Sequence, residues 1–166
     1  MVIRAAESSD IDAIMACITD AQALLRSCGV DQWQDGYPTA EIILNDIARG
    51  ESFVLTEGDN IVATAVISFA GEPTYTTIEG EWKNSNPYAV IHRLAVRSTA
   101  RGKGYAKAFF DYAELLCSKR SISDIRVDTH ADNRIMQGLL EGLGYRYCGV
   151  ITLTSGAKRI ALQKSL

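Results

Sequence analysis

The chain has 166 residues, of which 47% are hydrophobic and 22% are charged, and its formal net charge is −3 at pH 7. These values are typical of a globular protein, and the length predicts a single domain over residues 1–166. They exclude a disordered or low-complexity chain, and the lack of a basic excess argues against a nucleic-acid partner. No apolar run approaches the ~20 residues of a membrane span, and the N-terminus has no signal-peptide pattern, which predicts a cytoplasmic protein without membrane contact.

The first elements of the chain are a short edge strand at residues 2–6 and a helix. Ser8 or Ser9 can cap the start of this helix, and the helix should end near Cys28. Apolar residues recur at helical spacing on one face of this segment. They are Ile11, Ile14, Met15, Ile18 and Leu25.

A loop at residues 30–38 then leads to a second helix. Thr39 is a good cap for its start, and Gly50 follows its predicted end. Its apolar side comprises Ile42, Ile43 and Ile47.

Two strands follow, at Ser52–Glu57 and residues 61–69, and the turn-forming residues 58–60 between them predict a hairpin. Residues 70–87 are rich in Gly, Pro, Asn and Thr and predict a loop or a short irregular strand. A strong strand pattern returns at Tyr88–Val96.

The last third of the chain alternates helices and strands. A helix runs to about Arg120, a short strand covers residues 125–129, and Asp132 or Asn133 caps another helix that ends before Gly144. A hairpin of residues 145–153 and 159–163 closes the chain. The apolar face of the last helix comprises Ile135, Met136, Leu139, Leu140 and Leu143. This order of elements predicts a mixed α/β fold with helices on both faces of the sheet.

No metal site is predicted. Cys17, Cys28, Cys117 and Cys148 form no CxxC pair, and the chain has only two histidines. We therefore interpret the cysteines as reduced thiols.

The most informative segment is the glycine-containing loop before the third long helix, Arg101-Gly102-Lys103-Gly104-Tyr105-Ala106. Two glycines leave the backbone open to a bulky ligand, and the free N–H groups and dipole of a helix start attract an anion. The spacing fits neither a P-loop nor a dinucleotide-binding fingerprint. By itself the loop is equally compatible with a simple helix start.

Two segments of the chain form a further pattern: His92-Arg93-Leu94-Ala95-Val96 with the glycine loop, and Asn133 with the later Leu143-Gly144-Tyr145. Together they resemble the motifs of the GNAT superfamily of N-acetyltransferases, and the resemblance extends over nearly the whole chain. One position departs from the family motif, because Thr99 stands where the family usually has Arg or Gln. The resemblance implies a mostly antiparallel central sheet of six to seven strands flanked by about four helices.

The resemblance also implies acetyl-CoA as the cosubstrate. Its pantetheine arm would lie along the strand in a gap beside residues 125–129, and its pyrophosphate would bind the amides that follow the strand. The implied cofactor-binding residues are Leu94, Ala95, Val96, Arg101, Gly102, Lys103, Gly104, Tyr105, Ala106 and Asn133. A backbone N–H near Leu94 or Val96 would polarise the acetyl carbonyl, and an amine would attack directly.

Proton transfer requires a base for the amine and an acid for the leaving thiolate. His92 is the first candidate for the base, because it precedes Leu94 by two residues on the same face of the strand; a structural histidine is the alternative. The tyrosine that many members use as the acid is replaced by Leu140. Tyr145 is therefore a candidate catalytic residue, as are Tyr147 and Cys148, although Tyr145 and Cys148 also suit roles in packing.

The acceptor pocket of the family is built from the first two helices, their loop and the segment before the main strand. These segments contain Gln32, Trp33, Tyr37, Glu72, Tyr75, Glu79, Trp82 and Tyr88, whose aromatic and carboxylate groups suit a cationic amine. We select Trp33, Tyr37, Glu79, Trp82, Asp128 and His130 as substrate-binding candidates. The alternative is that these residues fix loops to the core or complete strand ends.

The sequence thus predicts a bacterial acetyl-CoA-dependent N-acetyltransferase for a primary amine of a small molecule or a peptide. Three alternatives stay open: a CoA-binding sensor or degenerate enzyme, a protein lysine or N-terminal acetyltransferase, and a different nucleotide binder that uses the same loop. A homodimer is compatible with the resemblance, since dimers are common in the superfamily.

Overall fold

The computed structural model describes every residue from Met1 to Leu166. The strands are β1 (Val2–Ala5), β2 (Ser52–Glu57), β3 (Asn60–Ser68), β4 (Ile78–Gly80), β5 (Tyr88–Val96), β6 (Asp124–Thr129), β7 (Arg146–Thr152) and β8 (Lys158–Ser165). The helices are α1 (Ile11–Ser27), α2 (Ala40–Ala48), α3 (Tyr105–Lys119) and α4 (Arg134–Gly142). Short 3-10 turns lie at Ser8–Asp10, Pro73–Thr76 and Ser98–Ala100.

The start of α1 differs from the prediction that Ser8 or Ser9 caps it. Both serines lie inside a 3-10 turn, and Glu7 and Asp10 form a reciprocal capping box around it. Arg4 donates two hydrogen bonds to the Asp10 carboxylate, at 2.7 and 2.9 Å. The hydrogen bond from Arg4 lowers the pKa of Asp10, so this carboxylate is ionised at neutral pH. It also accepts a hydrogen bond from the Glu7 N–H at the start of the 3-10 turn.

The cap predicted for α2 is confirmed, and of the two residues predicted to cap α4, Asp132 and Asn133, the structure has Asn133. The Thr39 side chain accepts a hydrogen bond from the Ile42 N–H, and Asn133 Oδ1 accepts one from the Met136 N–H at 3.1 Å. The apolar face predicted for α4 is wrong at one position, because Ile135 is 62% exposed whereas Leu140 is buried. Ile135 lies in the first turn of the helix, where helical spacing alone overestimates burial.

One eight-stranded sheet has the order β1-β2-β3-β5-β6-β8-β7-β4. The fold is mixed α/β with four helices, as predicted, and β1 is an edge strand. The sheet has more strands than the predicted six to seven, because β4 forms a three-residue strand in the segment predicted to be a loop or a short irregular strand. The pairings between β1 and β2, β2 and β3, and β7 and β8 are antiparallel, whereas β5 and β6 pair in parallel.

The chain forms two compact units, and β5 and α3 each contribute to both. The first unit comprises Met1–Ile67 and His92–Tyr112. Val54 packs with residues of α1 and α2, whereas the next residue, Leu55, packs with residues of α3. Because adjacent strand residues point to opposite faces, the sheet of this unit is covered on both sides.

The second unit comprises Ser68–Ile91 and Ala113–Leu166. Its core contains a buried cluster of Tyr75, Val90, Ile151 and Ala161. Trp82 and Tyr88 pack against this cluster and are partly buried. None of the helices of the chain is long and apolar enough to cross a membrane.

Candidate functional site

The segment between β5 and α3 is fixed at both ends and exposed in the middle. Ala100 and Tyr105 are buried with Phe109 and residues of β2 and β3 in one apolar cluster. The residues between them, from Arg101 to Gly104, are all exposed. The fold therefore presents a short loop on rigid supports at the start of α3.

The two glycines of this loop adopt a conformation that other residues rarely use. The φ angles of Gly102 and Gly104 are 78° and 81°. A Cβ at either position would meet no atom within 4 Å, so the space in front of the backbone is open. The first N–H groups of α3 have no partner within the helix. This arrangement fits an anionic group such as a diphosphate.

Both cations of the loop have partners in the protein. Lys103 Nζ lies 3.0 Å from one carboxylate oxygen of Glu57, and Arg101 Nη2 lies 2.5 Å from the backbone oxygen of Asp20. The hydrogen bond from Lys103 lowers the pKa of Glu57. Both basic side chains are exposed, so an anion at the loop can compete for them.

Strand β5 contains one residue with a left-handed conformation, Arg93, whose φ is 51°. Such a value costs about 1–3 kcal/mol for a residue other than glycine. Leu94 and Val96 pack on the α3 side of the first unit, and Ala95 packs on the side of α1 and α2. This residue interrupts the regular alternation of the strand between His92 and Leu94, so alternation alone does not place these two side chains on one face.

A buried carboxylate, that of Asp46, lies beside Arg93. Asp46 of α2 is fully buried, and its oxygens lie 2.5 Å from Nη2 of Arg49 and 3.3 Å from Nε of Arg93. Burial raises the pKa of Asp46, although Arg93, Arg49 and, less strongly, His92 oppose that effect. His92 is half-buried and close enough to Asp46 to influence its charge. The first unit thus brings His92, Arg93 and Asp46 together.

The two candidates in the loop between α1 and α2 have different surroundings. Trp33 is partly buried against the cluster of α1 and α2 and has a φ of 61°. Tyr37 is 37% exposed, and its ring lies 5.6 Å from the guanidinium carbon of Arg93. The Tyr37 ring therefore contacts Arg93, the left-handed residue of β5, whereas Trp33 packs against the core residues of α1 and α2.

The turn between β6 and α4 contains two further candidates. Asn133 forms the cap of α4, as described above, and His130 Nδ1 accepts a hydrogen bond of 3.1 Å from the Asp132 N–H. This bond places the proton of a neutral His130 on Nε2. Both residues thus have structural roles in the turn, in addition to any role in binding. No group of three or more His, Cys, Asp or Glu side chains could hold a metal ion.

The remaining acceptor candidates lie in the second unit. Asp128 Oδ2 accepts a 2.6 Å hydrogen bond from the Tyr75 hydroxyl. Trp82 donates from Nε1 to the backbone oxygen of Tyr75. The exposed Glu79 pairs with Lys158 at 2.8 Å. These contacts bring Trp82 and Asp128 together through Tyr75, whereas Glu79 is engaged at the surface.

Trp82 and Tyr88 surround a cation that belongs to the protein. The guanidinium carbon of Arg126 lies 4.4 Å from the Trp82 ring centroid and 4.0 Å from that of Tyr88. Arg126 is buried and donates from Nη2 to the Asn84 backbone oxygen. The aromatic cradle of Trp82 and Tyr88, which the family resemblance suggested for an acceptor cation, thus already holds Arg126.

Tyr145 and Leu140 are both buried, with exposures of 1%. Burial raises the pKa of the Tyr145 hydroxyl well above its usual value, with a smaller contribution from Glu114. This environment favours the packing alternative for Tyr145, and its catalytic role stays a prediction. Cys148 is buried, as expected.

Four residues were not identified from the sequence, although they lie at β5 and the glycine loop or in the aromatic cradle. Asp46 and Glu57 pair with residues of β5 and of the glycine loop, respectively. Asp20 contacts Arg97, which follows β5, and Arg101 of the glycine loop, and Arg126 lies in the aromatic cradle. Their partners are remote in sequence, so a pattern along the chain contains no signal for them.

Comparisons with known proteins agree on one family. A model of the acetyltransferase (GNAT) family matches residues 18–145. The structure of a GNAT-family acetyltransferase from Streptococcus agalactiae 2603 is 37% identical and superposes with a TM-score of 0.88, covering 99% of this chain and 95% of that chain.

Two more distant structures share the fold. One is a ribosomal-protein-alanine N-acetyltransferase from Brucella melitensis, with 19% identity, a TM-score of 0.71 and full coverage of both chains, 100% each. The other is the PaiA N-acetyltransferase from Thermoplasma acidophilum in complex with coenzyme A. It has 15% identity and a TM-score of 0.73, and the match covers 99% of this chain and 98% of that chain.

Proposed function

The chain belongs to the acetyltransferase (GNAT) family, and from this premise we propose that it transfers an acetyl group from acetyl-CoA to a primary amine of a small molecule or a peptide. Acetyl-CoA is the acyl donor of the family, and when bound it supplies an activated thioester. The observation that carries the proposal is the exposed loop with Gly102 and Gly104, held between the buried Ala100 and Tyr105.

The glycine loop is proposed to hold the diphosphate of the donor. Backbone N–H groups of Gly102, Lys103, Gly104, Tyr105 and Ala106 would donate to the phosphate oxygens. The positive φ angles and the open space at both glycines support this role. Lys103 and Arg101 would add positive charge, the former in exchange for part of its pairing with Glu57.

Strand β5 is proposed to orient the pantetheine arm and the acetyl group. Backbone groups of Leu94, Ala95 and Val96 would pair with the amides of the arm, as an added strand would. A backbone N–H of Leu94 or Val96 would donate to the acetyl oxygen as negative charge develops there. The pairing of Asp46 with Arg93 supports this role, because it stabilises the irregular backbone immediately before Leu94. Asn133 remains a candidate for the donor site beside its role as a helix cap.

His92 is proposed to accept the proton of the attacking amine. It is half-buried and close enough to Asp46 for the two groups to interact electrostatically. A nitrogen of the imidazole ring can accept the proton of an attacking amine as a general base. In the first unit Trp33 and Tyr37 remain candidates for acceptor binding. In the second unit the candidates are Glu79, Trp82, Asp128 and His130.

No side chain is assigned as the acid that would protonate the leaving thiolate. The alternative of a CoA-binding sensor therefore stays open. Leu140 replaces the tyrosine that many members use, and Tyr145 is buried. Either the thiolate leaves without a protein acid, or the chain binds CoA without turnover and serves as a sensor. The fate of the thiol distinguishes the two.

Titration calorimetry with acetyl-CoA, CoA, ATP and NAD tests the donor, and thiol release tests turnover. We expect acetyl-CoA and CoA to bind and ATP and NAD not to bind. The acceptors are 1,4-diaminobutane and a short peptide that begins with alanine, and each represents one acceptor class. Binding without thiol release from a broad set of amines would favour the sensor, and binding of ATP or NAD alone would contradict the donor assignment.

A further inference from the structure

The hydroxyl of Tyr75 lies 2.6 Å from Oδ2 of Asp128, although 53 residues separate them in the chain. Tyr75 is fully buried, with 2% exposure, whereas Asp128 is half-buried. Burial, together with the nearby negative charge of Asp128, raises the pKa of Tyr75 well above its usual value. Tyr75 therefore retains its proton and acts as the donor, and Asp128 Oδ2 is the acceptor.

Several hydrogen bonds and ring contacts hold the segment that contains Tyr75. Glu72 Oε1 accepts hydrogen bonds from the N–H and the hydroxyl of Thr74, at 3.1 and 2.9 Å. The Trp82 indole donates to the Tyr75 backbone oxygen at 2.9 Å. The Tyr75 ring packs 5.1 Å from that of Trp82 and 6.3 Å from that of Tyr88, measured between centroids. These contacts hold the hydroxyl at one position.

Asp128 has no cationic partner, even though a cation lies two residues away on β6. Residues two apart on a strand point to the same face, so Arg126 could in principle pair with Asp128. Instead, the Arg126 guanidinium lies between Trp82 and Tyr88 and donates to Asn84. Oδ1 of Asp128 accepts no hydrogen bond within the protein and is not enclosed. The fold thus fixes one oxygen of this carboxylate and leaves the other available.

We infer that Asp128 binds a positively charged amine of the acceptor through Oδ1 and that Tyr75 is the positioning residue that orients it. The inference rests on the proposed function and deepens it, because it selects acceptors that are cationic at neutral pH. A half-buried carboxylate without a cationic partner attracts an ammonium group, and charge-assisted hydrogen bonds are stronger than neutral ones. The Tyr75 hydroxyl reduces the conformational freedom that Asp128 would lose on binding.

The test compares 1,4-diaminobutane with 1,4-butanediol, which has the same chain length without charge. Binding is measured by calorimetry to the wild type and to the variants Tyr75→Phe, Asp128→Asn and their combination, with and without CoA. Tyr75→Phe retains the ring and removes only the hydroxyl. Tyr112→Phe is the matched control, because Tyr112 packs against Phe53 and has no assigned function. Thermal unfolding of each variant checks that it is folded.

We expect the diamine to bind and the diol to bind at least about tenfold more weakly, since hydrogen bonds to charged groups are stronger than those between neutral groups. Tyr75→Phe should weaken diamine binding by about tenfold in the wild type and have no effect in Asp128→Asn. Equal losses in both backgrounds, or equal affinity for diamine and diol, would overturn the inference. Failure of CoA to bind would instead contradict the proposed function, because the amine titrations without CoA are independent of it.

Discussion

The carboxylate of Asp20 in α1 accepts a 2.7 Å hydrogen bond from Nε of Arg97 and a 2.8 Å hydrogen bond from the N–H of Ser98. The backbone oxygen of the same residue accepts from Arg101. One residue of α1 therefore holds both ends of the segment that leads into the glycine loop. Burial raises the pKa of Asp20, but the hydrogen bonds from Ser98 and Arg97 outweigh this effect, so its pKa is below the usual value.

Asp20→Asn should weaken CoA binding without unfolding the protein. The amide retains the shape of the carboxylate but loses the charge that pairs with Arg97, so the loop becomes more mobile before it binds. We expect the Kd of CoA to rise by about fivefold, as for a partly exposed ion pair. Calorimetry measures the Kd, and Asp12→Asn on the exposed side of α1 is the control. An unchanged Kd in Asp20→Asn would show that α1 does not organise the loop.

Gly104→Glu should abolish CoA binding. The side chain would enter the open space before the loop, and its negative charge would repel the diphosphate. Two controls separate this effect from backbone strain. Gly104→Ala adds only the strain of a φ of 81°, and Gly156→Glu places the same charge at a φ of 86° in another turn. CoA affinity in Gly104→Glu equal to that of Gly104→Ala would remove the loop from the donor site.

His92→Ala should lower turnover and flatten the acid side of the pH–rate profile while CoA affinity stays intact. A general base must be unprotonated to act, so its loss removes the decline in rate at low pH. The measurement is kcat/KM as a function of pH for the wild type and His92→Ala, together with the Kd of CoA. A lower rate with an unaltered profile would assign His92 a structural role beside Asp46.

Local patterns in the sequence predicted the caps and the glycine loop. Thr39 and Asn133 were identified because a cap contacts a backbone N–H three residues away, and both side chains make that contact. The positive φ angles of Gly102 and Gly104 follow from the same local chemistry. The start of α1 was not predicted correctly, since Ser8 and Ser9 lie inside a 3-10 turn around which Glu7 and Asp10 form a capping box.

Contacts between residues that are distant along the chain could not be predicted from the sequence. Nothing in the alternating pattern of β5 indicates a left-handed residue at Arg93, and the carboxylate that pairs with its side chain, that of Asp46, lies on a separate element, α2. Asp46 itself resembles an ordinary polar helix residue until the fold buries it. The pairing of Tyr75 with Asp128 likewise depends on how the short 3-10 turn packs against β6. Pairwise specificity of this kind emerges only in the tertiary structure.

Asp124→Asn should destabilise the protein at neutral pH and much less in acid. Burial raises the pKa of Asp124, but hydrogen bonds from Ser165, Asn84 and Gln163, joined by Asn86, hold it well below its usual range. A carboxyl whose pKa is lower in the folded state contributes stability above its unfolded pKa of about 3.9. That contribution disappears as the pH falls toward the folded value.

Urea unfolding of the wild type and Asp124→Asn measures this difference at neutral pH and at successively lower pH. We expect a loss of about 2–3 kcal/mol at neutral pH that shrinks below about pH 4. Asp132→Asn is the control, since Asp132 is exposed. A difference that is independent of pH would mean that the charge of Asp124 does not contribute.

Gly149→Ala should destabilise the second unit, because two strands meet there without space for a side chain. Gly149 of β7 pairs with Gly80 of β4, and a Cβ on Gly149 would lie 2.3 Å from the backbone oxygen of Glu79. Backbone atoms cannot move aside as a flexible side chain does, so we expect a loss of at least ~2 kcal/mol in the free energy of unfolding.

Gly138→Ala in α4 is the matched control, since its Cβ would meet no atom within 4 Å. That variant should be more stable by up to ~1 kcal/mol, because alanine favours a helix interior over glycine. Urea unfolding measures both, and equal stability of Gly149→Ala and the wild type would mean that β4 can separate from β7 without cost.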